Sequence, residues 1–282
     1  MKTGLVLEGG AKRGIYTAGV LDVLLENEIM PDGVIGVSAG AIHGASYVSK
    51  QAGRSIRYNM KYGNDYRFMS WRSWFETGDM VDEKFSYHEL PEKLDPFDNE
   101  TFMESKTKFY VTCSNLETGR AEHIHCTDLF KQIDYLRASA SMPFVSRIVD
   151  VGGKKLLDGG ISDGIPLKAF IDMGYDRCIV VQTRMAGYRK EPNKIMNFLA
   201  KIKYRKYPKF VEAIKTRYKN YNDELDYIDD MNKKGLAFVI RPSKYVKVKR
   251  MEQDLGKVKE MYELGRSDAL RELNNIRKFF GA

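Results

Sequence analysis

Three short stretches of the chain carry residues whose types and spacing could do chemistry. Gly36–Gly40 reads GVSAG, a GxSxG set that follows one short apolar run and precedes a helix-like one. A serine on so tight a strand-to-helix turn holds its hydroxyl above the sheet edge, and the flanking glycines let a strained backbone approach its neighbours. The free N–H groups opening the next helix would favour negative charge beside that serine. Taken alone, the pentapeptide also describes a turn with a small capping serine. Asp158–Gly160, DGG, follows Leu156 and Leu157. A carboxylate within reach of a serine hydroxyl can accept its proton during attack. An unperturbed aspartate, with a pKa of about 3.9, is however a weak base at neutral pH, so the site must supply burial or concerted transfer. By itself, DGG is equally a tight turn.

The third stretch is EGGAKRG, residues 8–14. It lacks the GK[ST] ending of a phosphate-binding loop and the middle glycine of a dinucleotide fingerprint. Consecutive backbone N–H groups at a glycine-rich turn feeding a helix also suit an oxyanion. Gly9, Gly10, Ala11, Lys12, Arg13 and Gly14 therefore form a candidate oxyanion loop, in which Lys12 and Arg13 add positive charge. The four histidines, His43, His88, His123 and His125, all precede Asp158, whereas a hydrolase triad on this kind of sheet runs serine, acid, histidine. His123 and His125 share one face of a strand and leave a triad open as the lesser alternative. A serine–aspartate pair without histidine is the expectation.

These residues need elements to hold them. Residues 4–8 read as a buried strand, 14–28 as a helix with apolar positions at Ile15, Ala18, Leu21, Leu24 and Leu25, 34–37 as a strand and 41–52 as a second helix. Such an opening predicts a parallel sheet with right-handed crossovers. Residues 53–105, aromatic and poorly periodic, read as short helices and loops over the sheet, a candidate cover segment. Residues 108–126 read as two strands about a turn at 117–119. RASASMPFV, from Arg137, reads as the start of a helix that Pro143 stops. Strands are expected near 146–151, 155–157, 178–182 and 236–242, with helices over 166–173 and 254–280. The expected architecture is α/β: three layers, α/β/α, with a mainly parallel central sheet, in one domain over 1–282.

No run of 18 apolar residues exists in the sequence to span a membrane as a helix. Three widely spaced cysteines argue against a disulfide framework or zinc site and for a reducing compartment. A cytoplasmic protein, peripheral to the inner face of the membrane, is the expectation. Residues 187–282 carry 24 Lys and Arg against 13 Asp and Glu, so the whole basic excess lies in this helical last third. Residues 194–219 hold nine cations and one acid interleaved with Ile195, Phe198, Ile202, Phe210, Ile214 and Tyr218, with Pro208 dividing them into two helices. That composition suits an anionic membrane surface as partner, and equally a helix pair packed on the domain. No nucleic-acid motif accompanies the charge, so no nucleic-acid partner is expected.

The order glycine-rich loop, GxSxG, DGG resembles the patatin-like phospholipase family, in outline over the whole chain. The family's loop is DGGGxRG. Here Glu8 replaces its leading aspartate and Ala11 its third glycine, while Gly9, Gly10, Arg13 and Gly14 are kept. RASASMP (137–143) resembles the family's segment before the aspartate strand. The resemblance implies a dyad of Ser38 as nucleophile and Asp158 as general base, supported by Gly36, Gly40, Gly159 and Gly160. It further implies no metal or cofactor, and hydrolysis of fatty-acyl esters of phospholipids or related lipids through an acyl-enzyme. Tyr66, Phe68, Trp71, Trp74 and Phe75 would line an acyl pocket or form a lid, or fill core. A non-catalytic membrane-binding protein of the same fold is the alternative.

Overall fold

In the computed structural model, which describes residues 1–281, the chain opens β1 (Thr3–Leu7), α1 (Ile15–Glu26), β2 (Gly33–Val37), α2 (Ala39–Val48). Short helices α3 (Arg54–Tyr62), α4 (Trp71–Thr77) and α5 (Asn99–Glu104), with a π-helical stretch over Phe85–Leu94, make up the cover segment. Next come β3 (Lys108–Asn115), β4 (Ala121–Cys126), α6 (Ile133–Ala140), β5 (Val149–Val151) and β6 (Lys154–Asp158). The chain closes with α7 (Leu167–Asp172), β7 (Arg177–Val181), α8 (Lys194–Lys203), α9 (Pro208–Lys233), β8 (Ala237–Ile240) and α10 (Leu255–Phe280).

Hydrogen-bonded neighbours in the sheet run β5-β6-β3-β2-β1-β7-β8, with β4 also on β3. β1, β2, β3, β7 and β8 are parallel, whereas β4, β5 and β6 pair antiparallel, so the sheet is mixed. β2 is buried along its whole length and β1 along all but its first residue, the mark of strands covered on both faces. Alternation sorts the two faces. Leu5, Leu7, Val34, Phe109, Val111, Ile179 and Val181 point into the core beneath α1, α2 and α10. Val6, Ile35, Cys178 and Val180 point into the core beneath α7 and α9. These are the two outer layers of the expected α/β/α arrangement. The first ten residues of α1 are all buried, because it lies between the sheet and α10.

One expectation fails locally. RASA does not start a helix but ends α6, and the chain leaves it at Ser141 in extended backbone. The apolar signal of Ile133, Tyr135 and Leu136 sets the start of that helix, and Pro143 acts only beyond its end.

Candidate active site

The long strand β3 brings the two candidate reactive residues together. Along one edge it pairs with β4, from Phe109 to Ser114. Its other edge is shared: β2 runs parallel beside Lys108–Thr112, and β6 continues antiparallel beside Cys113–Asn115. Val37 lies opposite Thr112 and Asp158 opposite Cys113. The carboxyl ends of β2 and β6 therefore point at each other and meet across consecutive residues of β3, where Ser38 leaves one strand and Asp158 closes the other. Both sit at the carboxyl end of the parallel strands, where open α/β sheets form their crevices.

Ser38 turns the chain from β2 into α2 with φ +54° and ψ −122°, a conformation that costs a non-glycine residue about 1–3 kcal/mol. Its N–H donates to Ser139 Oγ at 2.8 Å, and Ser139 Oγ donates to the Thr112 carbonyl at 2.7 Å. Two residues on, the Ser141 carbonyl accepts the Asp158 N–H at 2.9 Å. The RASASMP segment thus holds both residues, a role its sequence did not reveal. Glycines permit the fit. A Cβ at Gly40 would lie 2.5 Å from the Leu7 carbonyl oxygen, one at Gly36 would lie 2.6 Å from the Ala41 backbone, and one at Gly159 would lie 2.2 Å from the Thr112 carbonyl oxygen.

Asp158 is buried and accepts the Gly160 N–H at 2.7 Å. Burial raises its pKa above the ordinary carboxylate value, against the opposing charge of Arg217, the Gly160 N–H and the neighbouring Ser38 hydroxyl. No regular hydrogen bond joins the Ser38 and Asp158 side chains. Catalytic contacts are commonly long before substrate binds.

The glycine-rich turn lies against this pair, with a Cβ at Gly9 falling 3.3 Å from Ser38 Cβ. Among the described residues, the N–H groups of Gly9, Gly10 and Ala11 have no hydrogen-bond partner, whereas Lys12 N–H reaches the Arg250 carbonyl at 3.5 Å and Arg13 N–H the Gly10 carbonyl at 3.1 Å. Ala11 has φ +48°, so the alanine that stands for glycine here bears strain of about 1–2 kcal/mol. Gly14 packs on Ala39. The Lys12 ammonium donates to Asn59 Oδ1 at 3.0 Å over the Phe68 ring. Glu8 is a clasp: it accepts from Thr183 N–H at 2.5 Å, Thr183 Oγ1 at 3.1 Å and Tyr221 Oη at 2.5 Å.

Among the described residues, no histidine bonds to Ser38. His43, on α2, is buried and bonded to Ser55 Oγ at 2.9 Å, and burial with Lys12 and Arg54 nearby pushes its pKa down to about 3. His123 lies 3.1 Å from Thr112 Oγ1 and 3.4 Å from Asp163, and His125 packs on Tyr110.

Three residues of α9, at i, i+4 and i+7, were not anticipated. Arg217 Nε donates to the Gly160 carbonyl at 2.6 Å, Tyr221 holds Glu8, and Glu224 accepts the N–H groups of Gly164 and Ile165 at 3.1 and 3.0 Å. Their helical spacing on one face was the available signal.

Two cavities meet at Ser38. One, of roughly 1080 Å³ counting the open space at its mouth, is chiefly apolar, with Ile42, Tyr58, Phe68, Leu90 and Leu136 in its wall. The other, of roughly 1440 Å³ with its open mouth, is lined by Asp158 and a group of cationic side chains. Ser38, Ala11 and Met142 belong to both.

Comparison with known proteins agrees with this geometry. The chain is 26% identical over 270 residues to the uncharacterized protein YjjU of Escherichia coli (strain K12), covering 94% of this chain and 75% of that one. It is 30% identical over 182 residues to lysophospholipase NTE1 of Phaeosphaeria nodorum and to lysophospholipase nte1 of Emericella nidulans, in each case 61% of this chain but only 11% of the relative. The fold matches that of VipD from Legionella pneumophila with a TM-score of 0.50 at 13% identity, over 97% of this chain and 67% of that one. A family of unknown function, DUF6363, matches residues 207–281. The model described as "Patatin-like phospholipase" matches residues 5–171, more than half of the chain and all three stretches singled out from the sequence, and the chain belongs to that family.

Proposed function

We propose that this protein is a serine lipid acyl hydrolase working through Ser38 and Asp158. The observation that carries the reading is the meeting of β2 and β6 end to end on β3, which faces a serine on a strained turn with a buried carboxylate of raised pKa. Ser38 Oγ attacks the ester carbonyl carbon while its proton passes to Asp158. The oxyanion takes the free N–H groups of Gly9, Gly10 and Ala11, each such donor being worth about 3 kcal/mol. The leaving alcohol recovers the proton, and water activated by Asp158 then releases the fatty acid from Ser38. Raising the carboxylate pKa brings a weak base nearer to its task. The apolar cavity suits the acyl chain.

At the mouth of the charged cavity, Met196 and Leu199 of α8 join Trp71. Ile195, Phe198 and Ile202 are 74, 64 and 59% exposed; exposed too are Trp71, which lines the same cavity, and Phe75, one turn further along α4. This apolar rim, among Lys194, Lys201 and Lys203, is the surface we assign to an anionic membrane, with the lipid entering directly below it.

The test is fluorophosphonate labelling and hydrolysis of p-nitrophenyl esters and lysophospholipids by wild type, Ser38→Ala and Asp158→Asn. Wild type is expected to label at Ser38, and both folded variants to lose at least about a thousandfold in kcat/KM. A wild type that neither labels nor turns over, on anionic vesicles included, overturns the reading in favour of a non-catalytic membrane-binding protein.

A further inference from the structure

The charged cavity has an imbalance that the hydrolysis reaction does not require. Five cations line it, Arg13, Arg184, Lys190, Arg217 and Arg250, against two carboxylates, Glu8 and Asp158. Among the described residues, none of the five forms an ion pair with a carboxylate. Glu8 is saturated by Thr183 and Tyr221 and nearby Glu224 by two backbone N–H groups. The cations rest instead on aromatic faces and backbone: Arg184 lies 4.4 Å from the Tyr188 ring centre, Lys190 Nζ 3.4 Å from that of Tyr221, and Arg217 bonds the Gly160 carbonyl. Arg13 Nε is buried with no hydrogen-bond partner. Burial, with Arg184 and Arg250 nearby, pushes the Arg13 pKa down to about 10, and burial beside Arg217 lowers that of Lys190.

Gathering more cations than carboxylates in a partly buried space is unfavourable unless a further anion completes it. The cluster and the apolar cavity occupy separate spaces whose walls share Ser38, Ala11 and Met142. A glycerophospholipid has this shape about its ester carbonyl: an acyl chain to one side and, a few bonds away on the other, a phosphate. Guanidinium groups suit phosphate oxygens.

We propose that Arg13, Arg184, Lys190, Arg217 and Arg250 form a phosphate site that selects ester lipids whose headgroup carries net negative charge, with no ammonium to cap the phosphate. This rests on the reading of Ser38 as the acylated residue. A quaternary ammonium headgroup would add a sixth cation to the cavity, and a neutral glyceride would leave the cluster unpaired.

The test separates this inference from catalysis by using the full-length Ser38→Ala protein and equilibrium binding. Short-chain lipids below their micellar concentration serve as probes: dihexanoyl phosphatidylglycerol, dihexanoyl phosphatidylcholine and inorganic phosphate, by titration calorimetry. The phosphatidylglycerol is expected to bind at least about tenfold more tightly than the phosphatidylcholine. That preference should vanish in an added Arg184→Gln/Arg250→Gln pair, whose residues hold no ion pair of the fold, and should partly return with Arg184→Lys/Arg250→Lys. Equal affinity for the two lipids, or a preference that survives the double substitution, overturns the proposal. So does inorganic phosphate binding as tightly as the anionic lipid, since the ligand would then be the free anion. If wild type hydrolyses none of the esters while the binding preference stands, the hydrolase reading fails and the anionic-lipid site does not.

Discussion

At the scale of single residues, the site depends on groups that hold the reactive ones. Ser139 occupies the Ser38 N–H and the Thr112 carbonyl in one stroke, so Ser139→Ala leaves both buried groups without their partner. A loss of about 1–3 kcal/mol in stability is expected, measured by urea unfolding, together with a fall in kcat that leaves KM nearly unchanged. Arg217 sets the pH behaviour. Its charge is the largest influence opposing the burial that raises the Asp158 pKa. Asp158 must be ionised to accept a proton, so activity falls as pH drops through its pKa. Arg217→Gln lets that pKa rise further, and the acid limb of the kcat/KM profile should move to higher pH; a limb that stays or moves down refutes the assignment of Asp158 as base. The same raised pKa makes ionised Asp158 a cost to folding at neutral pH, so Asp158→Asn is expected to lose activity without lowering Tm.

At the scale of elements, the basic segment 194–219 divides in two. Pro208 opens α9 at its first position, where a missing N–H costs nothing. Beyond it, Phe210, Val211, Ala213 and Ile214 bury themselves with Leu116, Leu157 and Ile161 against the sheet. Before it, α8 leaves Ile195, Phe198 and Ile202 uncovered. One amphipathic pattern therefore serves two ends, and the sequence could not separate them, since a core-facing and a membrane-facing stripe share one period. If α8 meets the bilayer, Phe198→Ser/Ile202→Ser should weaken binding to anionic vesicles in a sedimentation assay by about tenfold, while hydrolysis of a soluble monomeric ester changes by less than about twofold. Equal binding by parent and variant would remove α8 from the membrane surface.

At the scale of the molecule, the last third is built into the first. α10 packs along α1 so closely that a Cβ at Gly265 would lie 2.1 Å from the Tyr16 carbonyl oxygen, and one at Gly19 would lie 2.2 Å from that of Tyr262. The crossing is fastened by Tyr16 Oη to Asp268 at 3.0 Å and Tyr262 Oη to Asp22 at 2.7 Å. One apolar cluster runs from β1 and α1 through to Val258, Met261 and Ile276 of α10. On this basis we read the chain as one folding unit, in which the stretch matched by DUF6363 completes both the core and the site. Gly265→Val should lower stability by about 2–3 kcal/mol in urea unfolding, in a single transition reported alike by far-ultraviolet circular dichroism and tryptophan fluorescence. Two separated transitions would contradict a single unit.

Local pattern determined a good deal of this protein from its sequence alone. Buried apolar runs located β1, β2 and β7, the helical period located α1, and the glycines of GVSAG and DGG marked close backbone approaches that the structure contains at Gly36, Gly40 and Gly159. Each of these is a property of neighbours along the chain. What only the tertiary structure decided is register and convergence. That Asp158 lies opposite Cys113, one step beyond where Val37 lies opposite Thr112, follows from how β3 shares its edge between two strands. Ser139, Arg217 and Tyr221 gain their roles only when α6 and α9 close on that edge. Such contacts are set by long-range pairing: a helical period shows that Arg217 and Tyr221 share a face, but the partners of a helix face or a strand edge are chosen by packing across the whole molecule.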